Sequence, residues 1–290
     1  FVTQLALLRQ QLDLPQLSYK EIIDIDPDNP DDHIIRYIDW EALPKDIPYY
    51  IHIDYGKSRD RTGIALTRSV GTMQVPRLDD YRQSVMANDL KFETNLALAV
   101  IPKPGKEVIM SRLKQFIVDL GKRGVPIAGF SMDGYQSTML LQDIGEMRIP
   151  SDEVSTDKSR EPYDYWKDSL VEYRWHGPAP HRGKTHDEYL VFREFSQLLD
   201  LIKKIDHPVP TSDRSADIPS KDVTDAIVGS IFNCKLKSTG AKAGLALQEY
   251  SQAILTAQRT ATWQENILEQ GAKARGKNWG KLQGYRGRIR

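Results

Sequence analysis

Four aspartates set the chemistry this chain can do. Asp54 closes the compact apolar run 49–53, Asp133 closes a second apolar run at 125–132, and Asp222 and Asp225 stand three apart in S-K-D-V-T-D-A, 220–226. In α/β sheets the carboxyl ends of strands line the ligand crevice, so two aspartates placed this way can converge. A spacing of three puts Asp222 and Asp225 on one helical face, with Val223, Ala226 and Ile227 on the buried side. Hard divalent cations such as Mg²⁺ want oxygen ligands and keep several waters, so a few carboxylates suffice. Carboxylates gathered without a cation repel one another and hold their protons. Two ions roughly 3.5–4 Å apart activate a water and stabilise the leaving 3′-oxygen of a phosphodiester. Taken singly, each aspartate reads better as a turn residue or as an early helix residue facing the dipole than as a ligand. The set is what points to a metal.

Neighbouring residues carry the same double reading. Asp60 is an accessory ligand or a turn aspartate. Lys57, Arg59 and Arg61 form a solvated turn or hold DNA phosphates beside the centre, and so does Lys221. His207 and His52 read as structural, and none of the six histidines has the spacing of H-E-x-x-H. Residues 157–161 precede the helix expected at 162–173, and either Ser159 caps it or Lys158 and Arg160 flank a DNA groove.

The elements that must position these residues follow from periodicity. Strands are expected at 49–53, 62–70, 92–101, 125–132 and briefly at 154–155. Helices are expected at 108–120, 137–144, 162–173, 188–202, 221–234 and 245–268. The last of the core helices has its buried face at 223, 226, 227, 231 and 232. Strands first and then alternating helix and strand predict an α/β domain with a mixed sheet. Residues 1–47, with weak periodicity and four prolines, read as a linker or a tail. The domain proper is expected over 48–236, followed by a helical and basic tail over 237–290.

Bulk properties add exclusions. The 290 residues carry 40 Lys+Arg and 40 Asp+Glu, so the net charge by itself argues against a nucleic-acid partner. The distribution is uneven, acidic in DIDPDNPDD at 24–32 and basic from Lys235 to Arg290. The single cysteine, Cys234, excludes an internal disulfide and a cysteine-built zinc site. No run has the length of a membrane span, and no secretory signal is read. Gly56-Lys57-Ser58 and Gly183-Lys184-Thr185 mimic the end of a phosphate loop. The glycine required five residues before each is replaced by Ile51 and Pro178.

Four segments resemble, in order, the nuclease domain of the large terminase subunit of tailed bacteriophages. They are I-H-I-D-Y-G-K-S-R-D-R-T-G-I-A (51–65), A-G-F-S-M-D-G-Y-Q-S (128–137), S-T-D-K-S-R-E-P-Y (155–163), and I-D-H-P (205–208) with S-K-D-V-T-D-A (220–226). The resemblance implies an RNase H-like fold related to Holliday-junction resolvases. Its implied activity is endonucleolytic cutting of concatemeric viral DNA with Mg²⁺ or Mn²⁺, two ions in all. Asp54 would bridge the metals from the first strand, Asp133 would add a ligand from the strand pairing with it, and Asp222, Asp225 or both would close the site. Implied partners are double-stranded DNA, a packaging ATPase domain, the small terminase subunit and the portal, in the host cell cytoplasm. Residues 1–47 would then be the tail of an ATPase domain absent from this chain. Other readings are a structure-selective resolvase, a non-catalytic DNA- or portal-docking module, and an actin-like ATPase with its phosphate hairpin at Asp54-Tyr55-Gly56.

Overall fold

The structure is a computed structural model, and it describes residues 2–14, 17, 19–56, 61–78, 81–133, 137–181, 183–201 and 220–238. In chain order the elements are α1 (Val2–Gln11), β1 (Leu12–Leu14), β2 (Ile22–Ile25), β3 (Tyr49–Asp54), β4 (Thr62–Leu78) and β5 (Ser84–Pro102). Then come α2 (Met110–Lys122), β6 (Ile127–Met132), α3 (Thr138–Glu146), β7 (Ser151–Glu153), α4 (Glu161–Val171), β8 (Trp175–Pro178), α5 (Leu190–Leu201) and α6 (Asp222–Ser238).

The sheet runs β1-β8-β5-β4-β3-β6-β7, with β2 also on the outer edge of β5. β4 is antiparallel to both its neighbours, and the remaining pairings are parallel. Its centre is therefore a β3-β4-β5 meander extended by two parallel strands beyond β3. That is the mixed α/β arrangement, a central mixed sheet flanked by helices, expected from the sequence.

Strand alternation sorts the two faces. Ile51, Ile53, Ile64, Leu66, Leu96 and Leu98 point into one core, where α2, α3 and the 34–43 turns cover them. Ala65, Ala97 and Ala99 point the other way, toward the second core, built from α1, α4, α5 and α6. The small residues lie on that second face because α6 comes close to it. A Cβ at Gly63 would run into the backbone carbonyl of Asp222, and one at Gly229 into the His52 ring. Thr67 and Ser230 also meet across this contact, with hydroxyls 2.6 Å apart. α6 thus descends along the central strands from Gly63 toward Tyr50, whose hydroxyl lies 3.5 Å from Ser238 Oγ.

Several expectations need correction. Residues 1–47 are no separate linker, because β2 pairs with β5, and Ile23, Ile34, Trp40 and Leu43 are buried in the main core. Pro27, Pro30 and Pro44 lie in the connections between these short elements. The hairpin strands are longer than expected, since the exposed ends of β4 and β5 pair without an apolar pattern to announce them. α6 buries every residue from Val223 to Cys234 rather than one face, being wedged between the sheet and α4 and α5. Ser159 caps nothing: α4 begins after Arg160 without a side-chain cap. Lys158 pairs with Glu153 and Arg160 with Asp164. Lys184, in one of the phosphate-loop mimics, pairs with buried Glu21 at 3.0 Å. The expected helix at 245–268, the basic tail and His207 fall outside the described residues.

Candidate metal centre

Everything singled out in the sequence as a ligand, where described, lies at the carboxyl end of the parallel strands. Asp54 is the last residue of β3 and sits opposite Gly63. Asp133 follows Met132, which pairs with Ile53 in the neighbouring strand. Alternation turns Asp54 to the same face as His52, toward α6. Ser131 shares that face, its hydroxyl 2.8 Å from His52 Nδ1. Asp222 and Asp225 arrive from above as the first turn of α6, seated against Gly63. Gly63 is therefore the floor on which the third acidic element rests.

The electrostatics report the gathering directly. Asp54 keeps part of its surface open but is densely surrounded by protein. Burial first, and then the charges of Asp225, Asp222 and Asp133, push its carboxyl well above the ordinary range, with Lys221 opposing them. Asp225 is buried and pushed up to about 6 by burial, with Lys221 and Tyr163 pulling the other way. Asp133 is also raised, by burial and then by Asp157, against a hydrogen bond from Ser155 Oγ at 3.1 Å.

Four contributors to the centre were not singled out as site residues in the sequence. Tyr163, on α4, donates from its hydroxyl to Asp225 Oδ1 at 2.5 Å. Asp157 accepts from Lys221 Nζ at 2.6 Å. Ser155 holds Asp133. Glu194, fully buried on α5, accepts from the Thr224 backbone N–H at 2.9 Å and from its hydroxyl at 3.1 Å. It thereby satisfies a first-turn donor of α6 from a different helix. Burial pushes the Glu194 carboxyl up to about 8. The one available signal was that Ser155, Asp157 and Tyr163 lie within the third terminase-like segment.

The cations sit differently from expectation. Lys221 does not extend to solvent: its ammonium lies 2.8 Å from Asp225 Oδ2 and 2.6 Å from Asp157 Oδ1. Burial works against its charge, but Asp225 and Asp157 outweigh burial and raise its pKa. Arg61 is half-buried, with Nη1 unpartnered, and its charge acts on Glu194. Lys57, Arg59 and Asp60 lie outside the described residues.

The donor chemistry fits a hard divalent ion: four carboxylates and, among the described residues, no sulfur or histidine beside them as a ligand. A cation would also offset the burial and the neighbouring negative charge that make Asp54 hold its proton. Among the described residues, no three His, Cys, Asp or Glu side chains are already grouped as one ion's ligand set. Asp225 is engaged on both oxygens by Tyr163 and Lys221, Asp133 by Ser155, and Asp222 by Ser220 Oγ at 2.7 Å.

Two solved phage structures resemble this chain. One is the large terminase nuclease from thermophilic phage G20c, 10% identical, with 79% of this chain and 96% of that one covered and a TM-score of 0.44. The other is the large terminase of bacteriophage HK97, 11% identical, with 65% of this chain covered and a TM-score of 0.38; there the match spans 40% of the HK97 chain. At these identities the likeness concerns the fold. No protein-family model and no curated protein matches the sequence.

Proposed function

We propose that this chain is a divalent-metal-dependent DNA endonuclease domain of the terminase type, cutting concatemeric viral DNA during genome packaging. The observation that carries the reading is the meeting of Asp54, Asp133 and the first turn of α6 at one end of the sheet, where Gly63 faces Asp54 and packs on the Asp222 backbone. The four ordered terminase-like segments contain every described residue of this cluster except Glu194.

In this reading Asp54, Asp133, Asp222 and Asp225 hold Mg²⁺ or Mn²⁺, two ions by resemblance, with Asp60 as an accessory. When bound, the metal supplies positive charge to the attacked phosphate and lowers the pKa of the attacking water. The protein's own part is preorganisation. Tyr163 fixes the Asp225 carboxylate, Ser155 fixes Asp133, and the Gly63 contact sets the height of the α6 N-terminus, whose dipole favours negative charge there. Lys57, Arg59 and Arg61 are the proposed DNA-phosphate contacts; Lys221, paired inward with Asp225 and Asp157, is not one of them. The proposed partners are double-stranded DNA, an ATPase domain, the small terminase subunit and the portal, in the host cytoplasm. No described helix is long and apolar enough to cross a membrane.

One observation favours the docking-module reading: an ammonium already neutralises Asp225 and Asp157. Supercoiled plasmid incubated with Mg²⁺ or Mn²⁺ decides between the two. Nicking by the wild type that disappears in Asp133→Asn supports the nuclease. DNA binding without nicking in either protein supports docking instead.

A further inference from the structure

Lys221 stands immediately before the first turn of α6, and its backbone is held there by the Asp225 N–H, which donates to the Lys221 carbonyl at 2.8 Å. Its side chain is only 15% exposed, and the ammonium lies 5.9 Å above the centre of the Tyr163 ring. Its two carboxylate partners differ greatly in setting. Asp225 is 4% exposed at the side chain and Asp157 is 64% exposed. The lysine thus spans from the buried acidic centre to its rim.

We propose that Lys221 is the resident counter-cation of this centre, neutralising Asp225 until a divalent ion binds and giving that carboxylate up when one does. The inference rests on the metal-site reading above. Of the two donors on Asp225, Tyr163 is buried within the helix packing and is not free to leave. Lys221 has a flexible four-carbon stem and a second partner at the rim. A divalent ion at about 2.1 Å from Asp225 Oδ2 would lie within about 5 Å of an ammonium that is itself 2.8 Å from that oxygen. Two cations so close repel across a half-buried site where screening is weak. Lys221 then moves toward Asp157, keeping one ion pair and opening the other. The arrangement holds the acidic cluster together without metal and weakens metal binding by competition.

Thermal unfolding of the full chain, titrated with Mn²⁺, reads this without any activity measurement. Lys221→Met should unfold at a lower temperature without metal, and should reach half-maximal stabilisation at a Mn²⁺ concentration lower by about fivefold or more. Lys221→Arg, which keeps a cation, should follow the wild type. A Mn²⁺ midpoint in Lys221→Met equal to or above that of the wild type overturns the proposal. If Lys221→Met does not fold without metal, Mn²⁺ must restore a cooperative transition, and failure to do so also overturns it. Absence of any Mn²⁺ effect in wild type and variants alike removes the metal-site reading, and this proposal with it. A normal wild-type response with no change in Lys221→Met removes only the role of Lys221.

Discussion

Gly63 and Asp222 meet backbone to backbone: the carbonyl of Asp222 occupies the space a side chain on Gly63 would need. Because Gly63 faces Asp54 in register, this contact sets how closely the first turn of α6 approaches the strand ends. Gly63→Ala should therefore lift that turn away from Asp54. The expected result is a melting temperature lower by on the order of 5 °C, as for an overpacked core. Metal-dependent nicking should be lost even below that temperature. Unchanged nicking and melting would show that the close approach is not needed.

Tyr163 touches the centre through a single hydroxyl, donated to Asp225. Hydrogen bonds to charged groups contribute roughly 1.5–3 kcal/mol, so Tyr163→Phe should slow nicking by about tenfold or more. The substitution also leaves buried Asp225 Oδ1 without its donor, so the melting temperature should fall by on the order of 5 °C. Adding more Mn²⁺ should recover part of the loss, because the missing bond orients a ligand. A variant as active as wild type at limiting Mn²⁺ would refute this role.

The pH dependence of stability has a definite sign. Asp54, Asp133, Asp225 and Glu194 all have carboxyl pKa values raised in the folded protein, chiefly by burial, to about 6 for Asp225 and about 8 for Glu194. Unfolded carboxyls titrate near 4, so above that pH the folded state binds more protons, and stability falls as pH rises. Burial lowers the pKa of His52 and His181, which works the other way below about pH 6.5, so in EDTA the melting temperature should drop by on the order of 5 °C between pH 6.5 and pH 8.5. Mg²⁺ should stabilise more at pH 8.5 than at pH 5. A melting temperature that is flat or rising across this window would contradict the burial of uncompensated acids.

Glu194 separates capping from charge. Glu194→Ala leaves the Thr224 N–H and hydroxyl without their acceptor, at a cost of about 1–3 kcal/mol for buried donors. Glu194→Gln keeps an acceptor and removes the titration, so its pH profile should be flatter between pH 6 and pH 8.5 than the wild type's. Equal melting temperatures for the Ala variant and the wild type would show that α6 is not held from α5.

What the sequence disclosed depended on how local each signal was. Asp54 and Asp133 were legible because each ends a compact apolar run, and strand direction then places both at one sheet end. The D-x-x-D spacing was legible because helical geometry is local. Tyr163 and Glu194 were not, since an aromatic or an acid on an amphipathic helix acquires a partner only after two helices pack. Lys221 reads as a solvated cation from spacing alone, and its turn inward depends on how α6 seats. The short strands β1, β2 and β8 escaped because three or four residues carry too little periodicity, and their partners lie far away in sequence.

The central claim is that the strand-end aspartates bind divalent metal together. Crystals grown with Mn²⁺ and measured for anomalous scattering test it most directly. The account predicts a peak at about 2.1 Å from Asp54, shared with at least one of Asp133, Asp222 and Asp225, and with Lys221 withdrawn from Asp225. A peak that avoids Asp54, or no peak at this end of the sheet, would contradict it.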